Sequence, residues 1–180
     1  MNRSQLEHIV RAAAANADTN DVVVIGSQAI LGSFPDAPAE LLESMEADVF
    51  PRDSPANSIL IDGGIGELSP FHETFGYYAH GVDETTATLP EDWRERLVPI
   101  CNENTRGATG WCLEVHDLAV SKLVAGREKD LAFIAGLFRH QLAASELVRA
   151  RLAKTPLRES ARALTVERLD RLGSSGNRTK

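Results

Sequence analysis

Four consecutive apolar residues, Val22–Ile25, constrain the fold more than any other feature of the chain. An uninterrupted apolar run of this length is typical of a central strand that is covered on both faces. The run stops at Gly26 and Ser27, and a short apolar helical pattern, Gln28–Gly32, follows. We therefore predict a strand–turn–helix unit, whose turn offers backbone N–H groups and a hydroxyl to a phosphate.

Two carboxylates follow this unit, at Glu46 and Asp48. In a strand, side chains two residues apart lie on the same face, so we expect these acids to point together, beside the Gly26–Ser27 turn. Their mutual repulsion is offset by a divalent cation, and Mg²⁺ prefers oxygen ligands. The alternative is a strand-ending turn followed by two solvent-facing acids on an edge strand.

The pattern along the chain predicts an α/β (α+β) fold, with a mixed sheet and flanking helices followed by a helical extension. We expect the core at residues 1–115, the helical extension at 116–172 and a flexible tail at 173–180, because the hydrophobic period changes from two to 3.6 at His116. Segment 58–66 fits either a strand end or a short helix. We predict a loop at 67–75. Further strands are predicted at 77–82, 85–89, 97–100 and 111–115.

Composition excludes several classes of protein. The 43% hydrophobic and 25% charged content is ordinary for a soluble globular protein. The net charge of −7 argues against a broad surface for duplex DNA. No apolar run is long enough to span a membrane and no signal peptide is evident, so we expect a cytoplasmic protein. Cys101 and Cys112 lack the spacing of zinc ligands and are expected to be free thiols.

A second group of charged residues, Lys122, Arg127, Lys129 and Asp130, lies in a predicted helical region. The apolar stripe of this region packs inward, so we expect Lys122 to face outward. An ammonium and a guanidinium at the mouth of a site suit a triphosphate or an RNA phosphate. The alternative is a solvated helix face with local Arg–Asp pairs, which contribute little. The five histidines are scattered singly and predict no zinc site: His8, His72, His80, His116 and His140.

Two segments of the chain resemble one group of enzymes. VVVIGSQAI…MEADV resembles the Gly-Ser…[Asp/Glu]-x-Asp signature of the DNA polymerase β-like nucleotidyltransferase superfamily. LAVSKLVAGREKDLAFI resembles the lysine-containing helix and Arg-x-Lys-Asp element of the bacterial abortive-infection and toxin–antitoxin nucleotidyltransferases. The similar region runs from Asp21 to about His140.

The resemblance implies roles for the first group of residues. Gly26 and Ser27 would hold the triphosphate of a nucleotide, and Glu46 and Asp48 would bind one or two Mg²⁺ ions. The reaction would transfer a nucleoside monophosphate to a hydroxyl and release pyrophosphate, with positioning and charge neutralisation as the main contributions of the protein.

The resemblance also implies roles for the second group. Lys122 and Arg127 would contact the nucleotide phosphates, and Asp130 would complete the site. The acceptor would be an RNA such as tRNA, or a protein side chain. Such an enzyme would belong to a toxin–antitoxin or phage-defence system and would have a cognate partner protein.

Three features depart from the superfamily pattern. The gap between Ser27 and Glu46 is longer than usual, and a glutamate replaces the more frequent first aspartate. The third carboxylate has no clear match, with Asp62 and Asp83 as candidates. A catalytically silent module that binds a nucleotide or a protein on the same fold therefore remains the alternative to an enzyme.

Overall fold

The computed structural model describes residues 1–176 of the chain. The described helices are α1 (Arg3–Asn16), α2 (Ile30–Ser33), α3 (Ser58–Ile65), α4 (Pro70–Phe75), α5 (Val115–Ala125), α6 (Glu128–Arg139), α7 (Ser145–Ala153) and α8 (Glu159–Gly176). The strands are β1 (Asp21–Val24), β2 (Glu46–Pro51), β3 (Tyr78–Gly81), β4 (Val98–Ile100) and β5 (Thr109–Cys112).

The five strands form one mixed sheet in the order β3-β2-β1-β5-β4. Strand β1 pairs antiparallel with β2 and parallel with β5, and β2 pairs parallel with β3. The apolar run from Val22 therefore does form the central strand, and its valine side chains have no solvent exposure. The mixed sheet with helices confirms the predicted α/β class.

Helix α1 packs its apolar stripe into the core beside β1. Leu6, Ile9, Val10 and Ala13 recur at helical spacing and are fully buried. Asn2 is the N-cap of the helix: its side chain accepts a hydrogen bond from the Gln5 backbone N–H, and the Gln5 side chain accepts one from the Asn2 N–H. This reciprocal cap satisfies two of the backbone donors that a helix N-terminus leaves unpaired.

The chain between β2 and β3 is more helical than the sequence pattern indicated. The ambiguous segment 58–66 forms α3, and the predicted loop 67–75 contains α4, which begins at Pro70 behind the N-cap Ser69 and ends at Gly76 in the left-handed region. The strand predicted at 85–89 is wrong, because a 3₁₀ turn occupies Glu84–Thr86. Strand β5 also ends earlier than predicted, since α5 already begins at Val115.

The chain divides into two compact units. The first comprises residues 1–86 and 96–114 and contains the sheet, and the second comprises residues 87–95 and the chain from residue 115 onward. Helix α8 extends to Gly176, four residues into the predicted tail, and the remainder of that predicted tail, residues 177–180, lies outside the described residues. Among the described helices, none combines the length and apolar character that a membrane span requires.

Candidate metal centre

The first two acidic residues of β2 share one face of the sheet. Ala47 and Val49 point into the core with no solvent exposure, so Glu46 and Asp48 point to the opposite, half-buried face. Their side chains are 37% and 29% exposed. Because the other face of β2 packs in the core, the alternation of the strand sets the direction of both carboxylates.

Strand β3 brings two more polar side chains to the same face. In the parallel register, Tyr78 lies opposite Glu46 and His80 opposite Asp48. The Nδ1 atom of His80 is 3.3 Å from Oε1 of Glu46 and 3.3 Å from Oδ1 of Asp48. The Tyr78 hydroxyl donates a hydrogen bond to Oε2 of Glu46 at 3.1 Å.

Glu46, Asp48 and His80 have the donors and the spacing of a divalent-cation site. Each offers one ligand atom, and these atoms all lie within 4.8 Å of one another. Two carboxylate oxygens and an imidazole nitrogen form a donor set that divalent cations accept. His80 is exposed, so an ion has access from solvent. The residues present therefore fit a metal ion.

The electrostatics of this group favour a cation. Burial, reinforced by the neighbouring charge of Glu46, raises the pKa of Asp48 to about 6, although His80 acts in the opposite direction. Burial, followed by the charge of Glu46, also raises the pKa of Tyr78 to about 12, so its hydroxyl remains a donor at neutral pH. A positive ion between the carboxylates would relieve the repulsion.

The turn after β1 lies directly against Asp48. The N–H of Ile25 donates a hydrogen bond to the backbone oxygen of Asp48 at 3.0 Å. The next residue, Gly26, therefore lies close to the Asp48 side chain. A Cβ atom on Gly26 would lie 2.1 Å from Oδ2 of Asp48, so any other residue here would displace the Asp48 carboxylate. Ser27 then begins a 3₁₀ turn, Ser27–Ala29, that leads into α2. Gly26 and Ser27 are thus brought beside the acid pair.

The second charged group forms its own cluster within the helical unit. Oδ1 of Asp130 lies 3.2 Å from Nζ of Lys122, and Oδ2 lies 2.6 Å from Nε of Arg127. Burial alone would raise the pKa of Asp130, but hydrogen bonds from Arg127 and the charge of Lys122 hold it below its ordinary value. Asp130 is fully buried beneath this pair of cations.

Lys122 does not face outward as expected. It is only 9% exposed, and its ammonium lies 4.7 Å from the centre of the Phe133 ring as well as beside Asp130. An ammonium over an aromatic face and next to a buried carboxylate is held more rigidly than one on a solvated helix. The cluster is therefore more than a chain of surface ion pairs.

Sequence reasoning missed His80 and Tyr78. Metal-ligand spacing within one segment cannot reveal His80, because this residue reaches the acid pair from a neighbouring strand. The alternation of Tyr78, Ala79 and His80 contained a signal, since Ala79 is buried and its two neighbours face the other way. The alternation shows that Tyr78 and His80 share a face, but it identifies the acid pair as their neighbour only once the β2–β3 pairing is known.

The two candidates for a third carboxylate lie in local structural roles. Oδ1 of Asp62, on α3, accepts the Gly81 N–H at 3.3 Å. Oδ1 of Asp83 accepts the Thr85 N–H at 2.7 Å in an exposed turn. Neither belongs to the group formed by Glu46, Asp48 and His80.

Comparison with known proteins identifies one family. The family model described as "Nucleotidyltransferase of unknown function (DUF6036)" matches residues 4–163, which is most of the chain and includes both the acid pair and the Lys122 cluster. No curated protein and no solved structure matches significantly.

Proposed function

Because the chain belongs to this nucleotidyltransferase family, we propose that it transfers a nucleoside monophosphate from a nucleoside triphosphate to a hydroxyl group in a reaction that depends on Mg²⁺. The observation that carries the proposal is the acid pair of β2, with both carboxylates on one face and Gly26 in contact with Asp48. The acids are suitable ligands for a metal, and a turn whose backbone a ligand can approach closely is suitable for a polyphosphate.

Glu46 and Asp48 are the proposed metal ligands. When bound, Mg²⁺ supplies charge neutralisation at the phosphates, which is the main requirement of phosphoryl-type transfer. The raised pKa of Asp48 supports this role, since it reports a negative charge that the protein alone leaves poorly compensated. Tyr78 holds the Glu46 carboxylate by its hydrogen bond and so limits the positions of one ligand.

Gly26 and Ser27 are the proposed binding residues for the triphosphate. The absence of a side chain at Gly26 leaves the backbone open next to Asp48, and the Ser27 hydroxyl follows where the chain turns into α2. Backbone N–H groups and a hydroxyl are suitable donors to phosphate oxygens.

Lys122 and Arg127 are proposed to contact the phosphates, with Asp130 completing the site. Asp130 orients both cations through contacts of 3.2 and 2.6 Å. Arg127 keeps 62% of its side chain exposed, so its guanidinium is accessible from solvent. These features are compatible with a phosphate ligand, and the resemblance of this segment to the toxin nucleotidyltransferases adds to them.

The acceptor hydroxyl is proposed to belong to tRNA or another RNA, or to a protein side chain. We also propose the cytoplasm, where triphosphates and tRNA are available, as the location of this activity. A role in a toxin–antitoxin or phage-defence system, with a cognate partner protein, follows from the same resemblance. Co-expression with the product of a neighbouring gene, followed by a growth assay, tests that part separately.

Transfer of an α-³²P label tests the reaction. The chain is incubated with Mg²⁺, each nucleoside triphosphate and either total tRNA or a protein extract. We expect label from the α-phosphate, but not from the γ-phosphate, in a macromolecular acceptor. Asp48→Asn should reduce transfer at least about a hundredfold, because a metal ligand is lost. Asp53→Asn, the same charge change at an exposed acid outside the site, should leave it unchanged.

Calorimetry with Mg²⁺ and each triphosphate distinguishes the outcomes. Binding that depends on Asp48, without transfer to any acceptor, would favour the catalytically silent module. If no triphosphate binds, both the enzyme and the nucleotide-binding module are contradicted.

A further inference from the structure

We propose that His80 is the third protein ligand of this metal site and that it makes the site prefer a first-row transition ion such as Mn²⁺ over Mg²⁺. The inference rests on the proposed metal site and refines it. The acid pair alone offers oxygen to any hard divalent cation, whereas His80 adds a nitrogen donor next to both carboxylates.

The position of His80 is determined by the sheet. Parallel pairing places its Cα opposite that of Asp48, and the burial of Ala79 turns the imidazole to the face that carries the acids. Tyr78, two residues earlier, makes the equivalent cross-strand contact with Glu46. The strand register, and not only the choice of a side-chain rotamer, thus places the imidazole next to the acid pair.

The distances are compatible with ligation of one ion by His80 and both carboxylates. A charge-assisted N–H···O bond is about 2.7–2.9 Å long, and one Nδ1–H can point at only one oxygen. Here Nδ1 is 3.3 Å from an oxygen of each carboxylate. Neighbouring ligand atoms on an octahedral ion with bonds of about 2.1 Å lie about 3 Å apart. The Nδ1 atom lies at nearly that distance from each of the two oxygens.

The donor set decides the choice of ion. Mg²⁺ takes oxygen ligands and retains its waters, so an imidazole contributes little to its binding. Imidazole is a good ligand for first-row transition ions, and carboxylates also suit Mn²⁺. Two acids and one imidazole therefore favour Mn²⁺, while a third acid in place of His80 would favour Mg²⁺.

Mn²⁺ binding by the full chain, followed by electron paramagnetic resonance with Mg²⁺ as competitor, tests the proposal. We expect the wild-type chain to bind Mn²⁺ at least about tenfold more tightly than Mg²⁺. His80→Ala should weaken Mn²⁺ binding about tenfold or more while changing Mg²⁺ binding by no more than about twofold. His80→Asp should shift the preference towards Mg²⁺. His140→Ala, at an exposed histidine of the helical unit, is the matched control and should change neither.

Electron spin echo envelope modulation gives a readout that a purely structural role would not alter. A ¹⁴N coupling to bound Mn²⁺ should be present in the wild type and the His140→Ala variant and absent in His80→Ala. Circular dichroism checks that the variants fold.

The failures of the two proposals can be distinguished. If His80→Ala leaves the Mn²⁺/Mg²⁺ ratio and the ¹⁴N coupling unchanged, His80 is not a ligand, and the proposed metal binding by the acid pair is not affected. If Asp48→Asn binds Mn²⁺ and Mg²⁺ as tightly as the wild type, the metal site itself is contradicted, and this inference with it.

Discussion

Asp48 occupies a position where its charge is unfavourable for folding. Its carboxylate is mostly buried, close to Glu46 and in contact with the turn at Gly26. A chain selected for stability alone would place a neutral side chain here. The acid therefore has a cost in folding stability that can be measured, and the proposed metal binding would account for it.

Asp48→Asn should stabilise the metal-free protein at pH 7.5 and above. The folded-state pKa of about 6 lies above the ordinary value of 3.8, so the folded chain retains this proton longer than the unfolded chain. As pH rises from about 4 to above 6, the wild type loses stability, by at most about 3 kcal/mol. Since 29% of the side chain is exposed, we expect about 1–2 kcal/mol.

Urea unfolding in EDTA across pH 4–8 measures this difference. The variant should be similar in stability to the wild type near pH 4 and more stable above pH 6. A loss of several kcal/mol in the variant at pH 7.5 would instead indicate that Asp48 makes a structural hydrogen bond.

Local spacing predicted the acid pair but not its partners. Glu46 and Asp48 are two residues apart, and the strand period alone places them on one face. His80 lies 32 positions after Asp48, and only the sheet register joins them. Lys122 and Asp130 are recognisable in the sequence as neighbouring charges, but the burial of the lysine depends on Phe133 and on tertiary packing.

At the level of elements, the pairing of β2 with β3 determines the site. The two strands are parallel, so the chain must cross over between them, and it does so through α3 and α4. The segment that became α3 has glycines at positions 63 and 64 and no clear period, and Pro70 gave the α4 region the appearance of a loop. The strand β1 was predictable because its apolar run is unbroken, whereas this crossover was not.

Helix α5, which carries Lys122, ends in a cap supplied by α8. Arg168 donates hydrogen bonds to the carbonyl oxygens of Leu123 and Val124 at 2.7 and 3.2 Å, just before Gly126 turns with a positive φ. The last carbonyls of a helix lack internal partners, and a cation there also complements the helix dipole.

Arg168→Ala should lower the free energy of unfolding by about 1–2 kcal/mol, because the cap and its charge are both lost. Guanidinium unfolding followed by circular dichroism measures the change. Glu167→Ala, an exposed position on the same helix, is the control and should change stability by less than about 0.5 kcal/mol. An equal effect of the two substitutions would contradict a specific role for the cap.

At the level of the whole molecule, the family model matches residues of both compact units. The family match spans residues 4–163 and so includes the sheet and the helices from α5 to α7. The change of period at His116 reflects a change of architecture rather than the start of an unrelated module.

Mg²⁺ with a non-hydrolysable triphosphate should raise the melting temperature. At a ligand concentration one hundred times Kd, binding to the folded state alone contributes about 2.7 kcal/mol. For a chain of this size that corresponds to about 5–10 °C. Differential scanning fluorimetry measures the shift, which Asp48→Asn should abolish. A shift of equal size in that variant would show that the ligand binds elsewhere.

The strand that carries His80 is an edge strand of the sheet. Its side chain is 52% exposed, while the two acids lie one strand further in. If the proposed site holds a metal, an exchange at residue 80 should therefore change the metal preference at little cost to the fold. Among relatives that differ in metal preference, we expect the differences at the position of His80, and we expect the carboxylates of Glu46 and Asp48 to be unchanged.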